Sequence, residues 1–469
     1  MKHYSAARAV ISAQCIILLL ALVGNAGEGS LTGETIDRFR SSFDMDPHTR
    51  ATYNAITNND INSLALNREL LSNHNTLFGH KIETKGITNQ KSSGRCWLFS
   101  SLNMLRPLVI KKNNLDGFEF SQNYLAFWDK MEKANCFLEY IIEFRDRDPL
   151  DRELQLILEH PYSDGGYWDY VVALIRKYGA VPKDAMPETN NSGKTGIMNK
   201  VISRKLRQSA AILRKMHQAG KSLPELQAEK EKILAEIYRM LMFNLGEPPA
   251  DFAWRYEDKD SLLSELKTYT PRSFYDEFIG IDLGQYVNLF DNPTKEYRRH
   301  YQCALSRNMY DGEDVHYASI EVDKLKEIAM KSILADDPVV FSCDVGKDQY
   351  GKAGIMALDI FDYGSLFNTD LTMTKRERAL YFESSSDHMM VLIGVDTVDG
   401  KPVKWLVENS WGDERGDKGY WTLYNDWFDM YVYDITVKRE YVPEEILQIF
   451  DQKPIVLPPW DPMSRMVRR

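Results

Sequence analysis

Apolar positions change their spacing along this chain. From residue 35 to about residue 245 they recur at intervals of three and four, the period of helices with one buried face. Residues 35–43 carry Ile36, Phe39 and Phe43 at that spacing, and Asp46-Pro47 is expected to end the segment; residues 60–71 repeat the pattern with Ile61, Leu64 and Leu71. A third apolar repeat runs through Leu102, Met104 and Leu105 directly after Cys96, and Ser121 stands as the N-cap of a helix over 122–133. Residues 189–269 are charged and helical. Ser222, Pro224 and Glu225 form a capping box, Leu226, Ile233, Ile237, Met240 and Leu241 make the stripe, and Gly246 with Pro248 stops it.

Beyond residue 274 the pattern becomes that of strands. Residues 339–343, 388–395, 404–408, 419–424 and 431–437 are β-branched or aromatic runs divided by turn residues such as Asp399-Gly400. The run after His388 (Met389, Met390, Val391, Leu392, Ile393) is apolar without alternation, as in a strand buried on both faces. Helices first and strands afterwards predict an α+β fold. No period of 20 to 50 residues recurs, so this is no repeat array.

Residues 1–26 have the three parts of an export signal: Lys2, His3 and Arg8, then an apolar stretch over 10–23, then Gly24, Asn25 and Ala26. A stretch of fourteen residues, broken by Ser12 and Gln14, is too short for a stable membrane span. The net charge of −10 argues against phosphate backbones as main partners, so no nucleic-acid binding is expected. Five cysteines in 469 residues, one of them Cys15 in the signal, are no disulfide framework. No histidine has metal-ligand spacing and no glycine loop reads as a phosphate cradle, so no metal and no cofactor are expected.

Four residues carry chemistry. Cys96 opens a helix, where unpaired N–H groups and the dipole favour a thiolate, so its pKa is expected to fall. Gln90 is an amide donor that a Ser/Gly turn folds back beside the sulfur, and with the Cys96 N–H it makes a two-donor oxyanion hole. His388 is the candidate base and Asn409 the residue that orients its ring. Each alone has a plainer reading, as core packing or a turn. Together, in the order Gln, Cys, His, Asn, with Asn409-Ser410-Trp411-Gly412 as a unit, the set resembles the papain-like cysteine peptidases.

Ser-Gly-Arg-Cys-Trp at 93–97, FEFSQNYLAFWDK at 118–130, DGGYW at 164–168, CDVGK at 343–347 and the closing Trp460-Asp461-Pro462-Met463 are similar to the bleomycin hydrolase and aminopeptidase C branch. The resemblance spans about residues 34–463, nearly the whole chain after the signal. One detail departs: the cysteine usual three positions before the nucleophile is Ser93, so its customary disulfide cannot form. The resemblance implies a two-lobed papain-like fold with an extra helical insertion and a C-terminal arm. Its parts would be a signal peptide (1–26), an N-terminal helical arm (27–80), a helical lobe with the nucleophile (81–188), the insertion (189–270), a β-rich lobe with His388 and Asn409 (271–450) and the arm (451–469). His388 lies 292 residues beyond Cys96, against about 130 to 150 in a papain-like core, and the insertion accounts for much of the excess.

The resemblance further implies peptide substrates, pairing of Gly165 and Gly166 with an extended substrate backbone, Trp411 covering the His388–Asn409 bond, and assembly as a homo-hexamer. It implies aminopeptidase activity, because the terminal carboxylate, here Arg469, would face the substrate's ammonium. The tail after Met463 (Ser464, Arg465, Met466, Val467, Arg468, Arg469) is basic, where cations would repel that ammonium, so trimming of Arg469 is expected. Two other functions stay open: an endopeptidase whose altered tail leaves the cleft open, and a non-catalytic cage-like binding protein.

Overall fold

The computed structural model of the chain describes residues 29–462 and Ser464. The expected signal (1–26) and the tail residues from Arg465 to Arg469 lie outside the described residues. These divide into two compact units: the residues up to Leu66 together with Asp362–Thr369, and Asn67–Phe361 together with the residues from Asp370 on.

The first unit is helical. Gly33–Ser41, capped by Thr32, takes in Ile36 and Phe39 of the expected 35–43 segment, ends before Phe43 and buries none of its residues. Asp46-Pro47 begins a helix here instead of ending one: the Asp46 carboxylate accepts from Thr49 N–H, and Pro47, which has no N–H to waste, opens Pro47–Asn58. The single helix expected over 60–71 is two, Ile61–Ala65 and Arg68–Asn73. Asn67 divides them because its side chain accepts from the N–H groups of Glu69 and Leu70, which makes it an N-cap.

The second unit holds a helical part and one large sheet. Cys96–Lys112 and Gln122–Glu143 are its buried helices, the latter capped by Ser121 through Tyr124 N–H. The insertion is a helical pair, Gly196–Gln218 and Leu223–Leu245, whose Ile202, Leu206 and Leu213 and Ile233, Ile237 and Leu241 bury one face against Gln122–Glu143. The Ser222–Glu225 capping box forms as expected. The middle of the sheet runs in the order Tyr286–Phe290, Val432–Lys438, Val339–Cys343, His388–Val398, Lys401–Glu408, Tyr420–Tyr424, every neighbour antiparallel. Its flanks add parallel pairs, such as Ile455–Leu457 beside Arg299–Cys303. His388–Val398 is the strand that meets the nucleophile helix, and its first eight residues are buried, as the unalternating run requires. Among the described residues Cys96, Cys136, Cys303 and Cys343 form no disulfide.

Two carboxylates are enclosed where this sheet meets the helix Trp168–Tyr178. Asp434 bonds Ser342 Oγ on the neighbouring strand, and Asp169 Oδ1 accepts from Asn288 Nδ2 at 2.8 Å. Burial, then the nearness of Asp169, pushes the Asp434 carboxyl up to about 8; burial pushes Asp169 up to about 7. The folded protein therefore keeps protons that the unfolded chain releases near pH 4, and this contribution to stability is lost as pH rises through about 8. The thermal midpoint of the protein is expected to fall between pH 5 and pH 8.5, and Asp434→Asn to flatten that fall. A fall of equal size in the variant, followed by differential scanning fluorimetry, would remove Asp434 from the explanation.

Candidate active site

Cys96 is the first residue of its helix, so neither its N–H nor that of Trp97 has an acceptor one turn back. The turn before it is held on all sides. Ser93 Oγ donates to Gln90 O at 2.6 Å and accepts from Arg95 Nε at 3.0 Å, and the Arg95 guanidinium forks onto Glu188, with Nη1–Oε1 at 3.1 Å and Nη2–Oε2 at 2.7 Å. Gly94 N–H donates to Asp164 Oδ2 at 3.1 Å, and a Cβ at Gly94 would stand 2.7 Å from Asp164 Cβ. Burial would raise the Asp164 carboxyl, but the Lys130 ammonium bonded to it holds it well below the usual carboxylate range.

The sulfur and the imidazole belong to segments bonded to each other. Met389, the residue after His388, directs its N–H at the Cys96 sulfur, and its carbonyl accepts from Ser100 Oγ, one turn along the helix, at 2.6 Å. His388 Nε2 lies 2.8 Å from Asn409 Oδ1, which also accepts from Ser410 N–H at 2.7 Å. Two donors converge on that atom, so it is the amide oxygen, and Nε2 is the protonated ring nitrogen. Nδ1, at the other edge, keeps its lone pair. The Trp411 ring lies over the imidazole with centroids 4.8 Å apart, and Trp421 packs edge-on against Trp411.

Gln90 is fixed at both ends of its amide. Its Oε1 accepts from Ser410 Oγ at 2.6 Å and its Nε2 donates to Ser93 O at 2.6 Å. An amide NH2 has two hydrogens, so one is left over from the bond to Ser93. Ser410 was not singled out in the sequence as anything but a motif letter. The structure gives it the task of aiming Gln90.

The expectation of a lowered thiol pKa is not met. Gln90, His388 and Asn409 are buried and Cys96 keeps only 9 % of its surface. Burial pushes the thiol up to about 11, with the N–H groups of Met389 and Trp97 opposing it, and pushes the imidazole down to about 4, with the Asn409 bond opposing that. The helix N-terminus supplies the donors foreseen, but desolvation outweighs them. Burial thus favours the uncharged form of each group taken alone, and the attraction between a thiolate and an imidazolium opposes both shifts.

Gly165 and Gly166 stand beside the nucleophile through Trp97, whose Nε1 donates to Asp164 O at 2.7 Å. A Cβ on Gly166 would come within 2.6 Å of the Trp97 ring, so this glycine is required by packing alone. The Gly165 carbonyl accepts from Lys133 Nζ at 2.5 Å. Arg469 lies outside the described residues; Ser464, the last one described, is 2 % exposed. No group of three or more His, Cys, Asp or Glu suited to a metal occurs among the described residues. Ser93, Arg95 and Glu188, which brace the loop, were missed as site residues, although the arginine between Gly94 and Cys96 was a visible signal.

The geometry agrees with comparisons to known proteins. Residues 30–464 match the model of the peptidase C1-like family. Aminopeptidase C of Listeria monocytogenes is 38% identical over 438 residues, covering 93% of this chain and 99% of that protein. Bleomycin hydrolase of Gallus gallus is 37% identical over 454 residues, with 93% and 99% covered. The crystal structure of PepW from Lactobacillus rhamnosis superposes with a TM-score of 0.90 at 39% identity, covering 93% of this chain and 99% of that one. With a papain-like α+β fold and a complete Gln, Cys, His and Asn set, the chain belongs to the peptidase C1-like family and is a cysteine peptidase.

Proposed function

We propose that the protein is an exported cysteine aminopeptidase that removes N-terminal residues from peptides through Cys96, His388, Asn409 and Gln90. The observation that carries the chemistry is the pair of orienting bonds, His388 Nε2 to Asn409 and Gln90 to Ser410, which join the two ends of the site through adjacent residues. The His388 Nδ1 lone pair takes the thiol proton as the sulfur attacks the peptide carbonyl carbon. The oxyanion rests on the free Gln90 N–H and the Cys96 N–H. Nδ1–H then protonates the departing amine, leaving a thioester; a water gives its proton to Nδ1 as it attacks, and the sulfur leaves as the thiol. Gly165 and Gly166 are assigned to the substrate backbone. Trp411, seated on the imidazole, is better placed to exclude water from its bond to Asn409 than to hold a side chain.

The restriction to N-termini is supported by relatives named for that activity along nearly their full length, and by how this chain ends. Ile455–Leu457 adds to the sheet beside Arg299–Cys303, the Arg152 guanidinium lies 3.9 Å from the centroid of the Trp460 ring, and Asp461 pairs with Lys295 at 2.6 Å. The arm is thus held to the second unit through Asp461, and the part given to the tail, after loss of Arg469, rests on the resemblance alone. Assembly into a homo-hexamer is part of the same reading: Phe39 stands exposed on Gly33–Ser41, a helix with no buried residue, and Phe43 stands exposed just beyond its end, which asks for a second copy as cover. Export rests on residues 1–26 alone.

Cys96→Ala is expected to lower hydrolysis of aminoacyl fluorogenic amides by roughly 10⁴-fold or more. One carbamidomethyl group at Cys96 should inactivate the wild type, and full activity in the alkylated enzyme would disqualify Cys96. Substrates with a free N-terminus should be cleaved and their acetylated forms spared; equal turnover of both would favour the endopeptidase reading.

Intact-mass measurement of the mature protein is expected to find Arg469 absent. Deletion of residues 464–469 should raise cleavage of N-blocked peptides, and strict aminopeptidase behaviour in the deletion variant would separate the tail from the specificity.

A further inference from the structure

The helix that starts at Cys96 reaches the Asn409 loop again with its third turn. Arg106 Nη2 donates to Glu408 Oε1 at 2.8 Å and to Gly86 O at 2.7 Å, and the two side chains of this ion pair are 3% and 0% exposed. On the same helix Asn103 Nδ2 donates to Thr88 Oγ1 at 2.8 Å, and Thr88 O accepts from Gly412 N–H at 3.0 Å. The backbone is therefore tied down directly before Asn409 and again three residues after it. Both ties lead to the helix that carries the nucleophile.

A buried pair of this kind is a weak source of stability. Taking both ions out of water costs several kcal/mol each, and apolar residues of the same volume often serve the fold as well or better. What the guanidinium does supply is direction: its Nη2 is shared between Glu408 Oε1 and Gly86 O, so the single bond it makes to the carboxylate fixes where Oε1 lies. Successive side chains of an extended segment point to opposite faces. Clamping Glu408 from one side thus sets the angle at which Asn409 Oδ1 meets Nε2–H on the other.

We infer that Arg106 and Glu408 are positioning residues for the imidazole: they act through Asn409 and make the nucleophile helix the common reference for both halves of the Cys96–His388 pair. The inference rests on the triad reading proposed above. Asn409 favours the imidazolium, which is the form His388 takes once it holds the thiol proton. A loosened Asn409 weakens that form, so the alkaline limb of kcat/KM, where the imidazolium is lost, moves to lower pH.

The test is a double-mutant cycle on an aminoacyl fluorogenic amide, with kcat, KM and the pH profile measured for Asn409→Ala, Glu408→Gln, their combination, Arg106→Met and Arg106→Lys. Glu408→Gln and Arg106→Met are expected to lower kcat roughly tenfold, the scale of coupling within one buried network, with KM little changed. Their alkaline limbs should move in the same direction as that of Asn409→Ala, and Arg106→Lys should recover part of the loss. Glu408→Gln should add nothing once Asn409 is alanine. Losses that multiply in the double variant, or a lowered kcat with an unmoved alkaline limb, overturn the inference. An unmoved limb in Asn409→Ala itself would instead overturn the triad reading. Should Arg106→Met fail to fold, the Glu408→Gln cycle decides alone.

Discussion

The 2.8 Å bond between His388 Nε2 and Asn409 Oδ1 is the contact on which the chemistry of this protein depends. It fixes which nitrogen carries the proton, and so leaves the lone pair on Nδ1. The residues that hold it are arranged around the need to keep a donor and an acceptor, 21 positions apart in sequence, from drifting. His388 begins a strand buried along its first eight residues, Asn409 follows the end of the neighbouring strand, and the register between them pairs Val391 with Glu408. Trp411, tilted over the imidazole at 33°, packs against Trp421 edge-on beside that bond.

Burial has a second effect, opposite to the one usually credited to a cysteine at a helix start. Desolvation acts on each group alone and favours the uncharged form of both, which is why the thiol rises to about 11 and the imidazole falls to about 4. Moving the proton from sulfur to nitrogen works against both shifts. It is offset by the attraction of the new charges, about 4 kcal/mol at 4 Å and an effective dielectric near 20, and by the N–H groups of Met389 and Trp97 around the sulfur. The site is thus poised so that charge separation gains its support from fixed dipoles and from the partner charge.

The repeat after Cys96, the capping box at Ser222 and the unalternating run after His388 were legible because each is a local signal with one structural solution. Asp46-Pro47 was misread because the same dipeptide suits the start of a helix as well as the end of the one before, and Asn67 because an amide that breaks a helix looks in sequence like one exposed on it. Within the site, residue identity came through and electrostatics did not. The order Gln90, Cys96, His388, Asn409 needs no coordinates, whereas a pKa depends on how much water reaches the group. Ser410, Arg95 and Glu188 were illegible for a related reason: their partners lie 320 or 93 residues away, and nothing in a one-dimensional pattern says which side chains converge.

The serine at position 93 shows how the loop before the nucleophile holds together without a covalent tie. A disulfide stabilises mainly by restricting the unfolded chain, whereas the bonds here exist only in the folded one: Ser93 to the Gln90 carbonyl, Arg95 to Ser93, and the fork of Arg95 onto Glu188. Such an arrangement is indifferent to redox state. An unpaired thiol three residues before Cys96 would be a resolving partner for any sulfenic acid formed there and would convert a reversible oxidation into a disulfide across the active loop. A hydroxyl makes the same kind of hydrogen bonds and cannot do this. The remaining cysteines among the described residues, Cys136, Cys303 and Cys343, are buried. Oxidation at Cys96 therefore has no thiol close by in sequence with which to close.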